Sequence, residues 1–292
     1  RNSLITDDKK KINHIQVVGD LAYLSTGFGI VELNPNTLEF GNTYYFNPAG
    51  LYDGGVYHVI EFEKTIYAAT QDGLYRTSRT NPERLNFATW DLVASGKWVT
   101  LWEKSEVLYG ALQTDRNLYL YEISPTLEEK AQVIGQLKYS FTNDANIVLT
   151  FSHSIQVFDT RFNLNKVIST IDGVQFNTFR FGLNIDNIFW IGTFNNGLIR
   201  YSNADNISFV SPKGPLRNSI FDIETLPNEL WIAHGDYNQI YNPFPLEKYG
   251  LSHHVDQEWD NISSADVFNA ESLVRIVAHP TEIGTLYACS FH

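Results

Sequence analysis

The segment Ile66-Tyr67-Ala68-Ala69-Thr70-Gln71-Asp72-Gly73-Leu74 carries the pattern that decides the fold. It reads aliphatic, aromatic, aliphatic, small, Thr, turn, Gly and aliphatic, and the same pattern recurs at residues 22–30 and 189–198. Alternation of large and small side chains is typical of a β-strand packed between two sheets. The glycine that follows is expected to supply the positive φ of a tight turn, which lets the chain reverse into the next strand. Each copy therefore predicts two adjacent antiparallel strands.

Four weaker copies of the motif, beginning at residues 108, 147, 230 and 286, establish a period. The residues equivalent to Tyr67 are 44, 42, 39, 42, 41 and 56 positions apart; they are Tyr23, Tyr67, Tyr109, Val148, Trp190, Trp231 and Tyr287. Another strand is predicted before each motif, as at residues 56–60 and 273–277, and an outer strand at residues 40–46. Four short strands in a repeat of about 40 residues predict an all-β fold, a seven-bladed β-propeller of four-stranded blades.

The repeat runs along the whole chain, so we expect residues 1–292 to form a single β-propeller domain. The seventh copy stops at Phe291-His292, before its expected glycine, which would truncate the last blade. We therefore expect the chain to be a fragment of a longer, multidomain protein. The missing outer strands would come either from the continuing chain or from the N-terminal stretch up to Ile15, acting as a clasp.

Charge and composition exclude several classes of function. With 21 basic and 33 acidic residues the net charge is −12, and so acidic a chain is a poor candidate for binding nucleic acid, whose phosphates require a basic patch. Cys289 is the only cysteine, so neither an internal disulfide nor a cysteine-based metal site is predicted. The sequence contains no apolar run long enough for a transmembrane helix. We expect no nucleic-acid partner, no cofactor and no transmembrane segment in this chain.

No group of residues in the sequence predicts catalysis or metal binding. His253-His254 with Asp256 and Glu258 contains metal-ligating residue types, but a solvated loop is the preferred interpretation. Nucleophile elbows, phosphate-binding loops and His-Glu-x-x-His motifs do not occur. The prediction is a protein without catalytic residues. A carbohydrate-active enzyme stays open as an alternative, since propeller hydrolases place their carboxylates on separate blades.

Two surfaces are candidates for ligand or partner binding. The glycine turns of a propeller share one face around the channel mouth, where aromatic and amide side chains suit a sugar, although such turns are more often unliganded. The interval after Trp231 holds about 14 additional residues rich in Tyr, Asn and Pro, which fits a recognition loop as well as a packed insertion. The candidate binding residues are Phe28, Gln71, Asp72, Phe194, Asn195, Asn196, Tyr237, Asn238 and Tyr241.

One stretch of the chain resembles a family of sensor propellers. Trp190-Ile191-Gly192-Thr193, followed by Gly197-Leu198-Ile199-Arg200-Tyr201, is similar to the repeat of two-component regulator propellers. Those propellers form the periplasmic sensor half of bacterial hybrid histidine kinases. This resemblance implies a ligand-sensing propeller that recognises an oligosaccharide.

A second resemblance covers most of the chain. Lys11-Ile12-Asn13-His14-Ile15 and Gly41-Asn42-Thr43-Tyr44-Tyr45-Phe46, with residues 22–33, 66–76, 214–222 and 241–246, resemble the first propeller of the PorZ family. That family belongs to the type IX secretion system of Bacteroidota. Its members have two propellers and a small C-terminal β-domain, so the sequence that follows His292 distinguishes it from the sensor family.

The PorZ resemblance implies a non-enzymatic binding and scaffolding role. The expected location is the cell surface, in association with the outer membrane, or the periplasm. The implied partners are proteins of an outer-membrane attachment complex, including a sortase-like peptidase, and anionic lipopolysaccharide or another surface polysaccharide. The resemblance assigns no specific functional residue within this chain.

Overall fold

The computed structural model describes residues 5–46, 55–172, 178–194, 196–203, 206–210, 213–282 and 284–291. Within these ranges the chain forms 26 β-strands and two short 3-10 helices, Phe87–Thr89 and Ser264–Val267. The chain packs as two compact units, residues 1–210 and residues 211–292. The division falls between the fifth and sixth of the predicted blades.

The first unit contains five antiparallel sheets of four strands, and in each sheet the strand order follows the chain. The first two sheets comprise β1 (Ile12–Val18), β2 (Leu21–Thr26), β3 (Gly29–Asn34), β4 (Glu39–Tyr45), and β5 (Val56–Phe62), β6 (Thr65–Thr70), β7 (Gly73–Ser78), β8 (Asp91–Ser95). The third sheet comprises β9 (Trp98–Lys104), β10 (Val107–Gln113), β11 (Asn117–Glu122), β12 (Glu128–Ile134). The fourth and fifth comprise β13 (Leu137–Thr142), β14 (Ile147–Phe151), β15 (Ile155–Phe158), β16 (Leu164–Ile168), and β17 (Phe179–Ile185), β18 (Ile188–Thr193), β19 (Leu198–Asn203), β20 (Asn206–Val210).

The second unit contains two further antiparallel sheets. The sixth sheet has four strands, β21 (Ile220–Leu226), β22 (Glu229–His234), β23 (Leu251–Val255) and β24 (Glu258–Ile262). The seventh sheet has two described strands, β25 (Leu273–Ala278) and β26 (Leu286–Ser290). The long interval in the sequence lies between β22 and β23.

The structure confirms the predicted repeat. Every copy of the motif forms the second strand of its sheet, which is β2, β6, β10, β14, β18, β22 or β26. The strands predicted before the motif are the first strands of their sheets, and the predicted outer strand at residues 40–46 is β4. The all-β fold of a seven-bladed β-propeller is thus confirmed, with two described strands in the last blade. That residues 1–292 make one domain stays a prediction.

One expectation for the N-terminal stretch is wrong. Residues 12–18 do not serve as an outer strand of the seventh blade, because β1 is the first strand of the first sheet. His14 pairs with Ser25 and Val18 pairs with Leu21 across an antiparallel ladder. The edge of β1 that pairs with β2 is therefore occupied within the first sheet.

The hydrophobic core is a series of layers between consecutive sheets. In the first unit, Tyr23 and Ile30 of the first sheet pack against Val59 and Ile66 of the second. Equivalent layers join the second sheet to the third, the third to the fourth and the fourth to the fifth. In the second unit a layer around Ile276 joins the sixth and seventh sheets. Because each large buried side chain contributes roughly 1.5–3 kcal/mol, these layers hold neighbouring sheets face to face.

The first strands of neighbouring sheets pack on one another, and we call them inner strands. In the first unit β1 contacts β5, β5 contacts β9, β9 contacts β13 and β13 contacts β17. Each of these five strands has a β-bulge near its start, which leaves one residue unpaired with the second strand. The bulged residues are Asn13, Tyr57, Val99, Lys138 and Arg180. A bulge bends the strand and re-aims its side chain, so these five positions share one end of the inner strands.

Candidate functional site

The threonine of the motif holds each glycine turn closed. The hydroxyls of Thr26 and Thr70 donate to the carbonyl oxygens of Gly29 and Gly73, at 2.9 and 2.8 Å. The Thr193 hydroxyl makes the equivalent hydrogen bond in the fifth sheet at 3.0 Å. Each threonine oxygen also accepts a backbone N–H from its turn, as from Asp72 at 3.3 Å. Hydrogen bonds from the threonine side chain therefore hold the backbone of these turns in place.

The glycines of the turns are required for different reasons. Gly29 has a φ of +145°, and a Cβ built there would lie 1.9 Å from the carbonyl oxygen of Tyr44. Gly197 has a φ of +63° and ample space, so conformation alone explains it. Gly73 does not have a positive φ, but a Cβ there would meet the Leu92 side chain at 2.5 Å. The sequence-based expectation that each glycine supplies a positive φ therefore does not apply to Gly73.

The first three candidate residues lie in two equivalent turns of the first unit. Phe28 is half-buried in the β2–β3 turn and packs near Tyr45, with ring centroids 6.2 Å apart. Gln71 and Asp72 are exposed in the β6–β7 turn. Gln71 is engaged within the protein, because its Oε1 accepts the hydroxyl of Tyr57 at 2.7 Å.

The next candidates belong to the β18–β19 turn of the fifth sheet. Phe194 is exposed, and the guanidinium of Arg180 lies 4.6 Å from its ring centroid, a distance typical of a cation–π contact. The backbone N–H of Asn196 donates to the Thr193 hydroxyl at 2.8 Å. Asn195 lies outside the described residues. All three predicted turns lie beside the starts of inner strands, since Thr26, Thr70 and Thr193 pair with β1, β5 and β17.

The remaining candidates, Tyr237, Asn238 and Tyr241, lie in the long β22–β23 connection of the second unit. Asn238 organises this loop: its Oδ1 accepts the N–H groups of Ile240 and Asn242, both at 3.0 Å. Its own backbone N–H donates to Asn242 at 2.9 Å, and its carbonyl accepts the N–H of Tyr241 at 3.0 Å. Tyr237 anchors the loop by an edge contact with Phe221, with ring centroids 4.8 Å apart.

The ordered loop exposes large apolar side chains. Tyr241 is 84% exposed, Ile240 is 74% exposed and Phe244 is 62% exposed, and Tyr237 and Leu246 of the same loop are partly exposed. We call these five residues the apolar loop face. Aromatic residues on a fixed backbone lose little entropy on binding and are enriched among the residues that dominate protein interfaces.

The inner strands of the first unit also form a polar cavity that the sequence did not predict. His14 of β1 stacks on His58 of β5, with ring centroids 3.4 Å apart. The Thr100 hydroxyl of β9 lies 3.3 Å from Nδ1 of His58 and 2.6 Å from the Ser140 hydroxyl of β13. Two cavities, of about 390 and 360 Å³, share His14, His58 and Ser140 in their walls. Among the described residues, no carboxylate lines either cavity, whereas the site of a glycoside hydrolase contains a pair of them.

Burial governs the protonation of the stacked histidines. Loss of hydration lowers the pKa of His14 to about 4. The pKa of His58 is also far below its ordinary value, first through burial and then through repulsion by His14. Both imidazoles are therefore neutral at pH 7. His14, His58 and Thr100 occupy equivalent positions when the first three repeats are aligned on their motifs. This alignment is the signal in the sequence from which the cavity could have been predicted.

Two histidine groups of the second unit are structural. His234 Nε2 lies 2.8 Å from the Ser252 hydroxyl, but Ser252 has 0% exposure and is unavailable as a nucleophile. His253 belongs to β23 rather than to a solvated loop. Its ring stacks on that of Trp231, with ring centroids 3.8 Å apart. His254 instead lies against Trp259, because adjacent residues of a strand point to opposite faces. Among the described residues, no group of three or more His, Cys, Asp or Glu side chains is placed to hold a metal.

Comparison with known proteins supports the resemblance found in the sequence. The family model of the PorZ N-terminal β-propeller domain of the type IX secretion system matches residues 1–91. This match confirms the PorZ-like character of that part of the chain. No curated protein sequence matches the chain.

Solved structures with the same fold include PorZ from Porphyromonas gingivalis, described as an essential bacterial surface component of the type IX secretion system. The two proteins are 16% identical with a TM-score of 0.62, and the match covers 99% of this chain. The chain spans 38% of the length of that PorZ chain. A chain of the mitotic checkpoint complex matches with 11% identity and a TM-score of 0.51, covering 90% of this chain and 77% of that one. At such low sequence identity, these matches show only that the chain shares the propeller fold.

Proposed function

We propose that this chain is a non-enzymatic binding and scaffolding module associated with type IX secretion, and that it binds a protein partner through the apolar loop face. The observation that carries the proposal is the loop itself, which combines an internally hydrogen-bonded backbone with exposed Tyr241, Ile240 and Phe244. Exposed apolar clusters of this kind are uncommon on surfaces that bind nothing. The family match over residues 1–91 supports the association with secretion.

The proposed location is the outside of the cell, at the outer membrane surface or in the periplasm. A protein of an outer-membrane attachment complex is the proposed partner, and surface lipopolysaccharide is a second ligand class that the PorZ resemblance implies. In the part of the chain that the structure describes, no helix has the length and apolarity to cross a membrane. The net charge of −12 disfavours nucleic acid as a partner.

Co-purification from outer membranes tests the proposal. The protein is expressed in a bacterium with type IX secretion, either unchanged or as the variant Tyr241→Ser/Phe244→Ser. We expect the unchanged protein to recover the sortase-like peptidase of the attachment complex. Loss of two central aromatic contacts should reduce that recovery at least about fivefold, because such residues each contribute roughly 1–2 kcal/mol or more.

Phe268→Ser is the matched control. Phe268 is an almost fully exposed aromatic residue of the same unit but lies outside the loop. Its substitution should leave recovery unchanged. Absence of any outer-membrane partner, or equal recovery by the loop variant and the control, would contradict the proposal.

A further inference from the structure

The larger of the two inner-strand cavities has a cationic rim. It measures about 390 Å³ and opens at the starts of β1, β5, β9 and β13 in the first unit. Lys11, Lys97 and Lys138 line it, each contributed by a different inner strand or the residue preceding it. The volume falls within the usual range for small-molecule sites. Three lysine residues therefore line a space large enough for a small ligand.

This concentration of positive charge is unusual for the chain. The protein carries 33 acidic residues against 21 basic ones, yet none of the acidic residues within the described ranges lines the cavity. Among the described residues, Lys10, Lys130, Lys213 and Lys248 each form an ion pair with a carboxylate. Within the same described ranges Lys11, Lys97 and Lys138 form none. Like charges that share a cavity repel one another unless an anion neutralises them.

The aromatic wall of the cavity is fixed. The Lys97 ammonium lies 5.5 Å from the ring centroid of Tyr57, whose hydroxyl donates to Gln71. Tyr139 adds an exposed ring from β13. Asp72 lies outside the lining, but it is near enough to contribute, after burial, to the raised pKa of Tyr57. Its charge offsets part of the positive charge of the three lysines.

The floor of the cavity offers further polar groups. His14 Nδ1 is buried and has no hydrogen-bond partner in the part of the chain that is described. The hydroxyls of Thr100 and Ser140 lie 2.6 Å apart beside His58. A buried polar atom without a partner costs free energy unless a ligand or water satisfies it. The floor is thus suited to a ligand with several oxygen atoms.

We propose that this cavity binds a phosphomonoester dianion. Three lysines match a dianion with three acceptor oxygens better than a carboxylate, which carries one charge and two oxygens. The tyrosines give the remainder of a phosphorylated small molecule an apolar surface to lie on. The site belongs to the first unit, whereas the apolar loop face belongs to the second, so each proposal can fail without the other.

Isothermal titration calorimetry of the untagged 292-residue chain with inorganic phosphate and with a hexose 6-phosphate tests this proposal. We expect saturable binding of at least one of them, with a Kd of about 1 mM or below, and weaker binding of acetate. Tighter binding of the hexose phosphate identifies a phosphosugar as the ligand, and equal affinity identifies phosphate alone. Lys97→Gln/Lys138→Gln should weaken binding at least about tenfold, the equivalent of about 1.4 kcal/mol.

Lys64→Gln provides the matched control, since it removes the same charge from the β5–β6 turn at the opposite end of the second sheet. The affinity of this variant for phosphate should stay within about twofold of that of the unchanged protein. If the double variant fails to fold, Lys138→Gln alone at its exposed position should weaken binding about threefold. The proposal is overturned if neither phosphate compound binds saturably, if acetate binds equally well, or if the cavity variants bind like the control.

Discussion

Single residues explain why the inner strands meet as they do. The small residue of the motif, Ser25 in the first sheet and Ala69 in the second, lies fully buried opposite His14 and His58. A larger residue at either position would crowd the ring across the ladder. Sequence periodicity identified these small positions correctly. It did not identify the histidines, because histidine contributes nothing to an alternation of large and small apolar residues.

Stability should depend on pH through His14. The pKa of its imidazole is about 4 in the folded protein, against 6.5 for an ordinary histidine, because burial disfavours the charged form. Between these values the unfolded chain binds a proton that the folded chain does not, so stability decreases as the pH falls from 6.5 to about 4. We expect His14→Gln to reduce this loss by roughly 2–3 kcal/mol. Urea unfolding at a series of pH values measures it.

The control for the pH series is His153→Gln, at an exposed position of the same unit. This variant should keep the decrease in stability between pH 6.5 and about 4 that we assign to His14. Parallel profiles for His14→Gln and the unchanged protein would show that His14 does not titrate differently in the folded state.

At the scale of the elements, the glycine turns set how closely the strands approach. The carbonyl of Tyr44 in β4 occupies the space that a side chain at Gly29 would need. Gly19, in the β1–β2 turn of the same sheet, has a φ of +60° and nothing within 4 Å of a built Cβ. The two glycines look alike in the sequence, but only Gly29 combines an unusual conformation with a steric block.

Alanine substitution should separate these two roles. Gly19→Ala introduces only left-handed backbone strain, which costs about 1–2 kcal/mol. Gly29→Ala also forces β4 away from β3, so we expect it to cost at least about 3 kcal/mol or to prevent folding. The free energy of unfolding in urea distinguishes the two variants. Equal losses would mean that β4 moves aside without cost.

The elements also show where sequence reasoning reaches its limit. The motif predicted the second strand of every sheet and the position of the long loop, because both depend on local order and spacing. The cavity depends on Lys11, Lys97 and Lys138, which are far apart in sequence and meet only through the packing of inner strands. The direction of the Lys138 side chain also depends on a β-bulge, because a bulge interrupts the regular alternation of side chains between the two faces of a strand. Neither effect is visible in a single strand.

At the scale of the whole molecule, the two candidate sites divide between the two compact units. The predicted turn residues lie in the first unit, and Gln71 accepts a hydrogen bond from Tyr57, which lines the larger inner-strand cavity. Tyr237, Asn238 and Tyr241 lie in the second unit, where Asn238 shapes the loop and Tyr241 is exposed. The sequence therefore identified the long loop and the glycine turns, but not the cavity, and the role of the named residues in binding stays a prediction.

This division predicts that the two binding activities are separable. The cavity and the loop share no residue and belong to different compact units, so we expect substitutions in one to act independently of the other. We expect Tyr241→Ser/Phe244→Ser to lose the protein partner while its phosphate affinity stays within about twofold. Lys97→Gln/Lys138→Gln should show the converse. Calorimetry and co-purification on both variants measure the two activities. Loss of both activities in either variant would contradict this prediction, because it would show that the two units are energetically coupled.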